Sequence, residues 1–211
     1  MHKTKMNYVL LLALALAAPV LPAQVVEPNV LLQSATGEVI AAMKQERDLH
    51  GGQRTQVASL LDTKILPLFD FPRMTQIAVA RNWRLATPEQ QAALTTEFKA
   101  LLVRTYSMAL SSYRDQVIEF RSMHTAPADT EVTVKSVVKQ SGTEPVAMDY
   151  DMEKTSAGWK VYDVKVAGIS LVTTYRDSFS EKIRDAGVDG LIKALEDKNR
   201  QGDSRSKSPK T

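Results

Sequence analysis

The sequence predicts an α+β fold, a curved four-stranded antiparallel sheet with helices packed on its apolar face. Two observations carry the architecture. Apolar residues recur at spacings of three and four as far as Tyr113, at spacing two between Val117 and Val166, and at three and four again from Val172. The strand-like runs also succeed one another through short turns, Ser141-Gly142 and Ala157-Gly158, which makes them an antiparallel meander. No internal repeat or linker divides the chain.

The first residues have the pattern of a secretory signal peptide. Lys3 and Lys5 precede a short apolar run, Tyr8 to Ala18, and Leu21-Pro22-Ala23 offers a small-residue cleavage site. The run is too short for a membrane span of ~30 Å, so residues 1–23 are read as a signal that is removed. Residues 24–197 form the domain, and 198–211 a disordered basic tail. The chain has no cysteine. An exported domain without disulfides rests on its core alone, and thiolate metal sites and redox motifs are excluded.

Pro28 predicts an extended start, then a helix from Val30 to Leu49 that ends at Gly51-Gly52. A second helix, Gln53 to Leu66, stops at Pro67. Phe69-Asp70-Phe71-Pro72 is a tight corner into a short helix, Pro72 to Ala80. Thr87-Pro88-Glu89-Gln90 is a capping box with proline at the first helical position. It opens the longest helix, to about Tyr113, whose broad apolar stripe includes Phe98, Leu102 and Tyr106.

The strands are Val117 to Met123, Glu131 to Gln140, Pro145 to Thr155 and Trp159 to Val166. In the third, Val146, Met148, Tyr150 and Met152 face one way and Asp149, Asp151 and Glu153 the other. In the fourth, Tyr162, Val164 and Val166 share the apolar face, with Lys160, Asp163 and Lys165 as polar interruptions. Gly168 breaks this run, and Ser170 is a helix N-cap. Val172, Tyr175, Phe179 and Ile183 form the stripe of a returning helix, and a last helix, Asp189 to Asp197, comes after Gly187.

The net charge of +3 belongs to the ends. Between Gln24 and Asp197 there are 20 basic and 23 acidic residues. That removes the basic face a nucleic-acid-binding domain needs. No nucleophile elbow, zinc-protease motif, phosphate loop or dinucleotide fingerprint occurs. His50 and His124 are isolated, and the alternating Asp149, Asp151 and Glu153 read as a solvated sheet face.

The run WKVYDVKVAGISLVTTYRDSF, Trp159 to Phe179, resembles the signature of the MlaC-type periplasmic phospholipid-binding proteins, also called the toluene-tolerance auxiliary family. LPLFDFPRMTQIAVARNWRLATPEQQ, Leu66 to Gln91, is similar to that family's central block, although Pro72 stands where an acidic residue is expected. The resemblance covers essentially the whole mature chain. It implies a soluble periplasmic carrier of glycerophospholipid, acting between an inner-membrane MCE-domain protein with its ABC transporter and an outer-membrane lipoprotein–porin complex, so maintaining outer-membrane lipid asymmetry. It implies no enzymatic step and no cofactor besides the lipid, with acyl chains held in a lipid-sized cavity between sheet and helices. The chain is expected to act as a monomer.

For the lining of that site the sequence offers three groups. The sheet supplies Val134, Val146, Met148, Tyr150, Tyr162 and Val164; the long helix Leu102, Tyr106 and Leu110; the returning helix Ile169, Leu171, Val172 and Tyr175. Two other readings compete. A periplasmic enzyme acting on a small apolar metabolite needs an acid or base in the pocket, and Asp163 is the strand carboxylate nearest the apolar face. A lipid-free chaperone or adaptor would present an open groove instead of a lipid site.

Overall fold

In a computed structural model the chain is described over residues 26–48, 59–111 and 115–207. The signal peptide therefore lies outside the described residues, as do His50 and the first part of the second helix, residues 53–58.

Helix α1, Pro28–Asp48, begins at its proline, so the extended start is corrected. The missing N–H of Pro28 falls where a helix has no acceptor for it, and its fixed φ suits the first turn. Leu32, Ala35, Val39 and Ala42 are buried along one side. After the first gap in the described residues comes a wide π-helical turn, Leu61–Ile65, and then a tight 3₁₀ turn, Leu66–Leu68, with Pro67 at its head. Phe69 and Asp70 then lie beside the fourth strand, with Phe69 bridged to Val161 and the Asp70 N–H donating to Val161 O at 2.8 Å. Asp70 is also the N-cap of α2, Phe71–Val79, accepting the Arg73 N–H at 2.8 Å. A 3₁₀ turn, Ala80–Leu85, leads to α3, Pro88–Ser111. The expected capping box closes in both directions: Gln90 N–H to Thr87 Oγ1 at 3.2 Å, and Thr87 N–H to Gln90 Oε1 at 3.0 Å.

Among the described residues the sheet has five strands in sequential order, all antiparallel: β1 Val117–Phe120, β2 Glu131–Lys139, β3 Val146–Thr155, β4 Gly158–Val166 and β5 Ile169–Ser170. The first four are the expected meander, with β1 shorter than its apolar run. The fifth stands where the sequence predicts only the approach to a helix. It forms because Ala167 (φ 49) and Gly168 (φ 81) both hold positive φ, the geometry that turns a strand back after two residues. The expected helix cap at Ser170 is corrected: Val172 is the N-cap of the 3₁₀ turn Thr173–Tyr175, and Ser170, at the end of β5, accepts the Thr173 N–H on its hydroxyl oxygen at 2.9 Å.

Helix α4, Arg176–Lys207, is two helices joined at Gly187, whose φ of 71 and ψ of −178 no ordinary residue takes up readily. The kink turns both pieces onto α2 and α3: Phe179 from the first, Leu191 and Leu195 from the second, pack with Leu94, Phe98 and Leu101. The second piece continues through Lys207, so the expectation of a disordered tail is corrected for residues 198–207. Polar composition does not free this stretch, because α3 holds it. Arg104 Nη1 donates to the Lys198 and Asn199 carbonyls at 2.5 and 2.8 Å, and Asn199 Nδ2 donates to Glu97 Oε2 at 2.8 Å. Residues 208–211 lie outside the described residues. No helix among the described residues is long and apolar enough to cross a membrane.

Candidate functional site

Two apolar clusters form where sheet and helices meet. The sheet cluster is built from Val134, Met152, Trp159, Val161 and Val164, with Leu32 of α1 laid on it. The helical cluster is built from α2, α3 and α4, together with Val172. They abut in two places. Phe69 packs against both clusters, while the adjacent residues Leu171 and Val172 go one into each.

Asp163 fixes this junction. Its carboxylate is buried, and Oδ1 accepts the Val164 N–H at 2.8 Å and the Val172 N–H at 3.3 Å. The bond to Val172, nine residues on, holds the start of the returning segment against β4. Leu171 N–H donates to Val164 O at 2.8 Å beside it. A carboxylate engaged by two backbone donors is a clamp, which weighs against the general base that the enzyme reading needs.

Of the expected lining, Leu102, Val134, Val164 and Val172 are buried within the clusters. Met148, Tyr150 and Leu171 on the sheet side, and Tyr106 and Tyr175 on the helix side, are only half buried. Met148, Tyr150 and Leu171 pack against the sheet cluster, and Tyr106 and Tyr175 against the helical cluster. Val146 and Ile169 sit farther out, 39% and 66% exposed, although their strand partners Val138 and Val166 place both on the apolar face. The side chain of Leu110 lies outside the described residues.

Tyr162 is not in this group. Strands β3 and β4 pair Asp151 with Asp163 but Met152 with Val161, so Tyr162 is an extra residue in a β-bulge. The bulge shifts the alternation by one: Trp159 and Val161 face the core before it, Val164 after it. Tyr162 is left on the charged face, where the Arg73 guanidinium lies 4.0 Å from its ring centroid. The acids of that face are engaged as well. Asp151 accepts Thr133 Oγ1 (2.8 Å) and pairs with Lys165 (2.7 Å), and Glu153 pairs with Arg73. Among the described residues no group of three acidic or imidazole side chains is placed to hold a metal ion.

Three residues of the apolar face escape the sequence reading. Trp159 and Val161 are hidden by the bulge. Phe120 stacks on Tyr150 with centroids 6.0 Å apart, and the β1 pattern alone gives it no role. Burial is the main cause that raises the Tyr150 phenol above its usual pKa, partly opposed by a hydrogen bond with Ser136. The Tyr106 phenol is raised by burial and then by Tyr175. Both remain uncharged at neutral pH, so they offer apolar bodies with neutral polar tips.

A separate groove of about 900 Å³ opens beside α2, lined by Arg73, Gln76, Arg81, Trp83, Arg84 and Glu153 among others. It contains none of the expected lining residues.

Comparison with known proteins adds four findings. The family model described as MlaC protein matches residues 33–197. The chain is 27% identical over 182 residues to the toluene tolerance protein ttg2D of Pseudomonas putida, covering 85% of this chain and 83% of that protein. It is 20% identical over 172 residues to the intermembrane phospholipid transport system binding protein MlaC of Haemophilus influenzae, covering 80% of each. Among solved structures, the phospholipid-binding protein from Ralstonia solanacearum in complex with a phospholipid matches with a TM-score of 0.72 and 43% identity, over 82% of this chain and 97% of that one.

Proposed function

We infer, since this chain belongs to the MlaC protein family, that it is a phospholipid-binding transport protein whose bound acyl chains lie in the seam between its two apolar clusters. The observation that carries this reading is the set of half-buried apolar side chains packed against those clusters, Tyr106, Met148, Tyr150, Leu171 and Tyr175. A protein that only needed a core would seal them. The phospholipid bound to the Ralstonia solanacearum protein supports the ligand class.

The physics requires an uncharged seam. Each buried methylene is worth ~0.8 kcal/mol, so two acyl chains resist transfer into water by an amount on the order of 20 kcal/mol. A carrier that offers a similarly apolar surface makes withdrawal from a bilayer nearly balanced, and its partners then set the direction. A charge in the seam would be desolvated without a partner and would defeat this. The carrier works in the periplasm as a soluble monomer after removal of residues 1–23. It receives and delivers lipid at the inner-membrane MCE-domain and ABC-transporter complex and the outer-membrane lipoprotein–porin complex, and it needs no cofactor and performs no chemical step.

The test is mass spectrometry of an organic extract of the exported, purified protein. Glycerophospholipid near one equivalent or above supports the carrier. Folded protein without lipid would favour the chaperone or adaptor instead.

A further inference from the structure

The groove beside α2 carries a charge that lipid binding does not use. Its acids are already engaged: Asp70 caps α2, and Glu153 pairs with Arg73. Arg81 and Arg84 are both exposed, and neither has an ion pair or hydrogen bond among the described residues. Next to Arg84, Leu85 is 75% exposed, the most exposed large apolar side chain among the described residues. Trp83 lines the groove; Leu85 is outside its lining and directly follows Arg84, the last lining residue of this segment.

The groove is also held in shape. Arg176 donates to Ile77 O from Nε and Nη2 at 3.3 and 3.2 Å, and Gln91 Nε2 donates to Trp83 O at 2.9 Å. Between these anchors Ala80 has φ 54 and ψ −129. Such a conformation strains an L-residue and persists only where surrounding contacts enforce it. Preformed concavity, two unpaired arginines, a tryptophan and an exposed leucine are the materials of a protein-recognition site.

We propose that this groove docks an acidic surface segment of a partner protein, with carboxylates toward Arg81 and Arg84 and an apolar side chain against Trp83 and Leu85. Concavity favours a protruding segment over a flat bilayer. Arg73 and Glu153 join the groove to the charged face of the sheet, so a docked partner leaves the apolar seam open. The inference rests on the carrier reading and deepens it, because a shuttle must be gripped at its membrane complexes while its lipid remains free to leave.

The test compares the full mature chain with an Arg81→Glu/Arg84→Glu variant and an Arg81→Lys/Arg84→Lys control. Each is titrated against the purified inner-membrane and outer-membrane complexes, and against equimolar phosphatidylglycerol–phosphatidylethanolamine vesicles. Near-UV circular dichroism and lipid extracts are taken on the same samples. The Glu variant is expected to lose about tenfold or more in affinity for at least one complex, with its lipid content unchanged, while the control stays near wild type. Unchanged binding, no wild-type binding to either complex, or a loss confined to vesicles each overturns the proposal. Lipid-free wild-type protein that still binds through the arginines would instead sink the carrier reading and leave the docking site standing.

Discussion

The Asp163 carboxylate accepts the backbone N–H of Val172 at 3.3 Å, tying β4 to the segment that leads into α4. The same oxygen accepts the Val164 N–H, so one buried side chain sets the junction of the sheet and helical clusters.

Asp163→Ala is expected to destabilise the fold by about 2–4 kcal/mol, because it leaves buried backbone donors without an acceptor. Asp163→Asn retains one acceptor and should lose less. Urea denaturation measures both. An Ala variant with an unchanged midpoint contradicts the clamp.

Met148→Arg should fold and lose most of its co-purifying phospholipid, since Met148 is only half buried and its long replacement can bring the charge to the seam. Val164→Arg, at a site 6% exposed, should fail to fold and so cannot report on lipid. Folded Met148→Arg with full lipid content removes that position from the site.

Tyr162→Ala provides the opposite control. It should keep its lipid and lose about 0.5–1 kcal/mol of stability with the Arg73 contact. Loss of lipid, with the fold intact, would return Tyr162 to the lining.

Stability should fall above pH 10. The phenols of Tyr106, Tyr150 and Tyr162, each with an ordinary pKa of 10.0, are raised mainly by burial, and the Lys165 ammonium is raised chiefly by its hydrogen bond to Asp151. The folded chain therefore keeps protons that the unfolded chain releases, so the stabilisation is complete below the unfolded values and is lost as pH rises through the folded ones. Urea midpoints at pH 8 and 10.5 test this, and Tyr150→Phe should flatten the decline. A midpoint that rises over this range contradicts the sign.

Arg104→Met should release the end of α4, because its guanidinium holds the Lys198 and Asn199 carbonyls. Hydrogen exchange at residues 198–202 should quicken severalfold while Leu191 stays protected. Unchanged exchange means the last turns do not depend on α3.

Local signals make the architecture legible. The Thr87 capping box, the Asp70 corner, the alternation through Met152 and the Val172, Tyr175, Phe179 stripe each depend on near neighbours in sequence, and each reappears. Three features have longer-range causes and escape such signals. A single alternation extended through β4 places Tyr162 inward, yet Trp-Lys-Val and Val-Lys-Val are out of phase across Tyr162-Asp163, and that slip is the trace of the bulge. The end of α4 looks loose by composition, which does not show an arginine and a glutamate on α3, some hundred residues earlier, that hold it. The sequence suggests surface ion pairs for Arg81 and Arg84, since nothing local indicates that Asp70 and Glu153 are engaged elsewhere, yet neither has one among the described residues.

The most direct measurement is photolabelling with a phospholipid that carries a diazirine near the end of one acyl chain, loaded into the purified protein and mapped by peptide mass spectrometry. The account predicts adducts at Met148, Tyr150, Tyr106 and Tyr175, and none at Tyr162 or along Arg81–Leu85. Labelling confined to the charged face or to the groove beside α2, with the seam unmarked, would contradict it.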